Sequence, residues 1–390
     1  MRAAACIAAA LIALSGCSRC GRTTPGKEPS REPPPVEPLP APALSFDGEA
    51  SDLLVGMIGE PGQEDPVTVH VLRVTDRGVD VGQALAVPRR GSELPAAAVQ
   101  GKYLYLARGT GVERREPFTA NPVLSVNLGQ APASLLGLAP GCLVGLEGKV
   151  EFVDFSSGAG VQQTVFESEE IVKPVDFLVP LGTSAFAAVD DVVTPKYAFV
   201  FDLVPGKVAE HRFTAKMPSG PNERYLAVAV HGDELVITAS YAVMRGSGNR
   251  IYRWSLDKRE LAGLPRTELQ PRMAGDQDER VKLLVGDKMT YWRGLGMIGD
   301  HAFIGAGARG VMHMDVPATE IVLFDAGGYV LDLVVAGSRI LVLTSELVEK
   351  KGEVALGQRH IVELAWDESE KKLVENARHV LTVPIDWLMI

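Results

Sequence analysis

From Leu44 onward, apolar residues come in short runs divided by Gly, Pro, Asp and Asn, and no long stretch keeps the 3.6-residue spacing of a helix. Runs such as Asp52-Leu-Leu-Val-Gly-Met-Ile58, Val67-Thr-Val-His-Val-Leu72, Tyr103-Leu-Tyr-Leu-Ala107 and Tyr197-Ala-Phe-Val-Phe-Asp-Leu203 are rich in β-branched and aromatic residues and bounded by turn formers. That pattern predicts strands. Leu226-Ala-Val-Ala-Val230, Ile251-Tyr-Arg-Trp-Ser-Leu256, Glu320-Ile-Val-Leu-Phe324 and Ile361-Val-Glu-Leu-Ala-Trp366 continue it toward the C-terminus, so the chain reads as all-β.

The strands recur in a unit. His231-Gly-Asp-Glu-Leu-Val-Ile-Thr, Ile298-Gly-Asp-His-Ala-Phe-Ile-Gly and Ala336-Gly-Ser-Arg-Ile-Leu-Val-Leu each read as strand, Gly-centred turn, strand, the Gly supplying the positive φ of a two-residue hairpin turn. A third strand closes on an apolar residue followed by Asp, at Val153-Asp154, Phe201-Asp202, Phe324-Asp325 and Trp366-Asp367; an Asp there accepts backbone N–H bonds in the next turn. Seven units begin near Leu53, Leu94, Leu135, Pro174, Tyr225, Met289 and Tyr329, a spacing of roughly 40 to 65 residues that fits propeller blades with loop insertions. The expectation is a β-propeller of seven four-stranded blades over residues 45–390. Phe201-Asp-Leu-Val-Pro-Gly-Lys-Val208 resembles the strand-turn signature of quinoprotein-like and YVTN-type propeller repeats, in degenerate form. A propeller must also close its ring, and Val380 to Val383 are expected to pair as the closing strand, with Pro384 ending the pairing.

The N-terminus follows another logic. Arg2 precedes an apolar stretch from Ala3 to Leu14, and Leu14-Ser15-Gly16-Cys17 places small residues before a cysteine, the layout of a cleavable secretory signal over residues 1–16. The run is shorter than the ~20 apolar residues of a membrane-spanning helix. Leu-Ser-Gly-Cys resembles the lipobox of bacterial lipoproteins, which implies cleavage before Cys17 and acylation of its thiol. Two or more acyl chains would hold the protein on a bilayer, because each buried methylene contributes roughly 0.8 kcal/mol and one chain alone is marginal. Ser18 follows, and the same resemblance implies the outer rather than the inner membrane. Residues 17–44 then read as a tether, because the prolines from Pro33 to Pro42 forbid helix and ladder alike and favour an extended chain of up to ~80 Å.

Charge and cysteine content narrow the function classes. Asp and Glu number 49 against 39 Lys and Arg, with no basic run, so the chain lacks the electrostatic footprint of a nucleic-acid binder. Past the signal, Cys17, Cys20 and Cys142 remain; Cys142 sits in an apolar run and reads as a buried thiol, with a Cys20–Cys142 bridge as the lesser reading.

Candidate chemistry is sparse. Gly305-Ala-Gly-Ala-Arg-Gly310 matches a dinucleotide-binding glycine pattern but lacks the helix that would follow it, so it reads as a wide loop. Met297, His301, Met312, His313 and Met314 offer soft ligands suited to copper, yet the preferred reading packs Met297 and Met312 between blades and exposes the histidines, His313 lying in a Gly-rich loop. Asp190-Asp191, Glu167-Ser-Glu169-Glu170 and Asp276-Gln-Asp278-Glu279 lack calcium-loop spacing and read as solvated corners. No metal, cofactor or catalytic residue is therefore assigned. The leading expectation is a lipid-anchored, non-catalytic propeller that binds an envelope protein or surface ligand, and its layout resembles that of an outer-membrane assembly propeller lipoprotein. The alternative is a propeller enzyme, a quinoprotein-like dehydrogenase or a lactonase, with its site on the ring axis. The expected inner strands, Leu226–Val230 and Leu331–Val335, are apolar apart from Asp332, which weighs against it.

Overall fold

The computed structural model describes Leu44, Phe46 and most of residues 52–390. Outside the described residues lie 1–43, 45, 47–51, 60–64, 90–93, 120–121, 170, 172–173, 192–194, 221, 244–245, 263–265, 270–291, 318–320 and 351–352. Blade 1 holds β1 (Leu53–Ile58), β2 (Val67–Thr75), β3 (Gly78–Val81) and β4 (Leu85–Val87), and blade 2 holds β5 (Ala97–Gln100), β6 (Tyr103–Arg108), β7 (Gly111–Arg115) and β8 (Pro122–Asn127). Blade 3 follows with β9 (Ser134–Leu138), β10 (Gly141–Leu146), β11 (Lys149–Asp154) and β12 (Val161–Glu167), then blade 4 with β13 (Phe177–Leu181), β14 (Ala185–Asp190), β15 (Tyr197–Leu203) and β16 (Ala209–Lys216). Blade 5 contains β17 (Glu223–His231), β18 (Glu234–Val243), β19 (Gly246–Ser255), β20 (Glu260–Leu261) and β21 (Arg266–Leu269). Blade 6 contains β22 (Arg293–Ile298), β23 (His301–Gly305), β24 (Val311–Asp315) and β25 (Ile321–Phe324). Blade 7 contains β26 (Tyr329–Ala336), β27 (Arg339–Lys350), β28 (Glu353–Asp367) and β29 (Lys372–Val380), and the chain ends on β30 (Trp387–Met389). Every pairing is antiparallel within a blade, and the first strands of successive blades lie against one another around the ring. The expected seven-bladed propeller is the observed fold.

The two-residue turns form as the glycine pattern requires. Gln100 pairs with Tyr103, His231 with Glu234, Ile298 with His301 and Ala336 with Arg339, with Gly101, Gly232, Gly299 and Gly337 at φ between 54° and 62°. The Asp corners form in part. Asp154 Oδ1 accepts from Ser156 N at 2.7 Å and Asp367 Oδ1 from Ser369 N at 2.9 Å, whereas Asp202 instead receives the Arg212 guanidinium. Asp325 Oδ1 accepts from Gly327 N at 2.8 Å as expected, but its place is corrected: Phe324 ends the fourth strand of its blade, and the third strand closes on Met314-Asp315.

There is no single core. The buried apolar side chains of the described residues divide into clusters that each lie between two consecutive blades: Tyr105 and Val144 between blades 2 and 3, Phe186 and Phe152 between 3 and 4, Ile237 and Val200 between 4 and 5, Val236 and Met312 between 5 and 6, Phe303 and Val342 between 6 and 7. Two further clusters join blade 1 to its neighbours, Val69 with Leu106 and Leu72 with Leu343. Leu44 and Phe46 add to the seam of blades 3 and 4, Phe46 lying edge-on to Phe186 at 6.3 Å.

The closing strand differs from expectation. Val380 pairs with His360 at the outer edge of blade 7, while residues 381–386 form no strand; the ring closes after Pro384, where Trp387, Leu388 and Met389 pair with Met57, Gly56 and Val55. β30 therefore takes the innermost place in blade 1, and the unit that begins at Leu53 starts on its second strand. The segment is held by polar groups as well as burial. Arg359, 7 % exposed, donates to Ile385 O at 3.0 Å and Asp386 Oδ1 at 2.9 Å, Gly59 N donates to Asp386 Oδ2 at 3.1 Å, and Trp387 Nε1 donates to Gly59 O at 3.0 Å. Leu388 N donates to the buried carboxylate of Asp332 on β26 at 2.8 Å.

The residues of β30 divide between two seams, Leu388 packing with blade 7 and Trp387 and Met389 flanking the cluster shared with blade 2. Leu388→Ala should destabilise the domain by about 2 to 5 kcal/mol as a buried-leucine deletion, and removal of residues 387–390 by more. Val380→Ala, at a side chain 60 % exposed, should stay within about 0.5 kcal/mol of wild type. Urea unfolding of the three variants checks the assignment, and equal midpoints for Leu388→Ala and wild type would contradict it.

Candidate functional site

Each group of residues singled out from the sequence has a definite place, apart from those outside the described residues: Cys17, Cys20, Glu170, Met289 and the acidic stretch 276–279. Cys142 is a free, fully buried thiol on β10, and burial pushes its ionisation far up. Gly305–Gly310 forms a single 3-10 turn, Gly307–Arg309, between β23 and β24, in agreement with the loop reading. Glu167 and Glu169 are exposed.

Asp190 and Asp191 correct the reading of a solvated corner. Both are buried, at 0 % and 5 % exposure. The Lys196 ammonium, itself 1 % exposed, donates to the Asp191 carboxylate and to its backbone carbonyl, and Tyr225 N donates to Asp191 Oδ1 at 2.8 Å. Burial raises the Asp191 carboxyl to about 6 against the opposing pull of Lys196. The pair ties the connection between β14 and β15 of blade 4 to the first strand of blade 5. Glu223 and Arg250 extend this polar layer inside blade 5, at 3.3 Å.

The histidines are the second correction, and the structure brings them together. His313 lies in β24 and His301 at the start of β23, so hairpin pairing places them on adjacent strands, with His301 Nδ1 3.0 Å from His313 Nε2. Blade 7 completes the cluster: Glu368 Oε2 lies 2.8 Å from His301 Nε2 and accepts the Trp366 indole N–H at 2.6 Å, while the Trp366 ring stacks on His313 with centroids 4.2 Å apart. Only 5 % of His313 is exposed. Met312 and Met314 point away into the core shared with blade 5, with Met297 against the same core, as the packing reading expected. Among the described residues no third His, Cys, Asp or Glu joins the two imidazoles in a metal-binding group. What the cluster can do is share one proton along Glu368, His301 and His313, since the two facing nitrogens need a single N–H between them. In the next turn Asp300 Oδ1 lies 2.8 Å from His231 Nε2 of blade 5, so paired imidazoles and carboxylates run across two seams on one side of the ring.

Two further features complete the map. A cleft of about 340 Å³ opens at the seam of blades 3 and 4, lined by Leu44, Phe152, Asp154, Thr183 and Lys207. The inner strands present partly buried apolar side chains, Leu226 and Val228 from β17, Leu295 and Met297 from β22 and Val334 from β26. Asp332, the acid expected among them, is buried, raised to about 6 by that burial, and occupied by the N–H groups of Leu388 and Leu333. It secures the closing strand.

No protein-family model matches the chain, and no curated protein matches it. Solved structures do. BamB from Moraxella catarrhalis is 15% identical, over 75% of this chain and 82% of that one, with a TM-score of 0.45. Hsv2 of Kluyveromyces lactis is 10% identical, over 86% and 97%, at 0.48, and the computationally designed Ika8 protein is 13% identical, over 86% and 98%, at 0.47. At these values they carry no function to this chain, and the seven-bladed ring rests on its own strand pairing.

Burial, and then the neighbouring His301, push His313 down to about 4 from its ordinary 6.5. The native state thus binds fewer protons than the unfolded chain between these values, so this stabilising contribution is complete above pH 6.5 and is lost as pH falls toward 4. His313→Phe should flatten the fall in urea midpoint between pH 7 and pH 4.5 relative to wild type. Parallel pH profiles for the two proteins would contradict the buried neutral imidazole.

Proposed function

We propose that this protein is a lipid-anchored, non-catalytic ring that binds an envelope protein. The observation that carries the reading is the order of segments along the chain: an apolar run ending in Leu14-Ser15-Gly16-Cys17, a proline-rich stretch to Pro42, then a closed propeller. Acylation of Cys17 would supply the membrane attachment, the proline-rich stretch would give the ring reach over the surface, and the ring would supply a rigid binding face. The resemblance of Leu-Ser-Gly-Cys to the lipobox supports location in a bacterial envelope, on the outer membrane by the residue that follows.

Two structural observations favour binding over the alternative of a dehydrogenase or lactonase. The side chains of the inner strands β17 and β22 are apolar and pack on the seams between blades, and the acid expected among them, Asp332, is engaged by Leu388 rather than held free for chemistry. The titratable cluster that the fold does assemble, His301 with His313 and Glu368, stands at the seam of blades 6 and 7, packed against Trp366.

Feeding labelled fatty acid to cells that make the protein tests the anchor. Wild type should take up label and sediment with membranes, and Cys17→Ala should lose both; equal label and sedimentation would end the lipoprotein reading. Crosslinking of wild type in intact envelopes should give a discrete protein adduct, and a ring that crosslinks to no protein would end the binding reading.

A further inference from the structure

The outer strands of the blades present unpaired backbone groups to solvent, and most are guarded. β3 carries Asp80, β12 Gln162, Gln163 and Glu167, β16 Glu210 and Arg212, and β29 Lys372, Glu375 and Arg378, while β8 begins on Pro122 and holds Ser125 and Asn127. Charges, proline and polar side chains are the usual means of keeping a sheet edge from pairing with another chain. β25 of blade 6 has none of them. Its sequence is Ile-Val-Leu-Phe, and Ile321, Val322 and Leu323 are 40 %, 46 % and 47 % exposed in succession. Among the described residues β25 pairs with β24 alone, so three consecutive exposed apolar residues stand on a strand with one edge open.

The two faces of β25 continue surfaces already built. Leu323 and Ile321 sit opposite Met312 and Met314, which belong to the core between blades 5 and 6, and Val322 sits opposite His313. Phe324 lies 6.1 Å from Trp366 and 6.2 Å from His313, at the seam of blades 6 and 7. A strand laid along β25 would thus extend both seams outward while pairing with the open edge.

We infer that β25 is a strand-addition site for an uncharged, apolar β-strand of a partner protein. The free edge demands an extended backbone, since its unpaired N–H and C=O groups can be satisfied in register only by another strand. The absence of charge on β25 demands alternating apolar and neutral side chains. A second copy of the ring is the lesser fit, because two rigid rings paired edge to edge could meet along only the four residues of β25. A single extended segment can follow the edge and cover both faces. This inference names the place and chemistry of binding within the proposed function and rests on the binding part of it, not on the lipid anchor.

The probe is a displayed library of random dodecapeptides, selected on the full-length protein. Enriched peptides should share alternating apolar and neutral residues, bind wild type saturably in fluorescence anisotropy, and lose at least tenfold in affinity for Val322→Lys and for Leu323→Lys. These variants change exposed side chains, so their urea midpoints should match wild type and show that folding is intact. Bound peptide should also slow amide hydrogen exchange at Ile321–Phe324, a change that side-chain contact alone would not cause. Failure of the library to enrich such sequences, or peptides that bind both variants as tightly as wild type, would overturn the site. In the second case the binding function would still stand, with its surface elsewhere. A concentration-dependent dimer abolished by Leu323→Lys would likewise overturn it, by making the occupant a second copy.

Discussion

Ring closure by Trp387–Met389 is the constraint on which the other contacts of this protein depend. A blade of four short strands is too thin to bury its own side chains, so each face of each sheet must find cover on the next blade. The chain supplies blade 1 with β1 to β4 but not with an inner strand, and that strand comes from the other terminus. Leu388 faces the cluster shared with blade 7, and Trp387 and Met389 flank the one shared with blade 2, so three residues complete two of the seams. The polar groups nearby serve the same end. Asp332 holds Leu388 N, Asp386 holds Gly59 N, and Arg359 grips both Asp386 and Ile385 O. An unpaired charge in such a place is expensive, and each of these is matched to a partner.

Glycine makes the inner ring compact enough for this. At Gly294 of β22, φ is +69° and a Cβ would overlap the carbonyl oxygen of Leu333 on the neighbouring inner strand. Only a residue without a side chain admits β26 so close. The apolar side chains of β17, β22 and β26 pack on the seams, and the buried carboxylates Asp191 and Asp332 hold neighbouring blades together. Asp191 with Lys196 does for blades 4 and 5 what Asp332 does for blades 7 and 1.

The repeat was legible because its signals are local. A Gly in a two-residue turn and an Asp two residues before an open N–H are both set within four residues, and they mark out the seven blades, although the unit at Leu53 begins on its blade's second strand and Met289 lies outside the described residues. What escaped is set by pairing between distant residues. His301 and His313 meet because β23 and β24 are hydrogen-bonded, yet the glycines from Gly305 to Gly310 made His313 look like part of a loop when they only form the turn before its strand. Trp366 and Glu368, which complete that cluster, lie over fifty residues away in blade 7. The closing strand escaped for a related reason. The local pairing already ends at Val380, four residues before Pro384, and the chain resumes as a three-residue strand too short to show a period. Asp190 and Asp191 looked solvated because the Lys196 ammonium that pairs with Asp191 is recognisable only once β14 and β15 are hydrogen-bonded. The outer strand Ile321–Phe324 was legible as a strand, whereas its open edge was not, since exposure follows from its place as the last strand of its blade.

If closure couples the blades, the domain should unfold as one unit. Native-state amide hydrogen exchange across a range of urea concentrations measures this directly, because it reports the opening free energy of each strand separately. Closure predicts that the inner strands of blades 1, 4 and 7, read at Leu388, Val179 and Leu333, merge into a single opening with the free energy of global unfolding. An opening of blades 1 and 7 at clearly lower free energy than blade 4, with the remaining seams intact, would show that β30 is only a loosely attached end and would contradict the account.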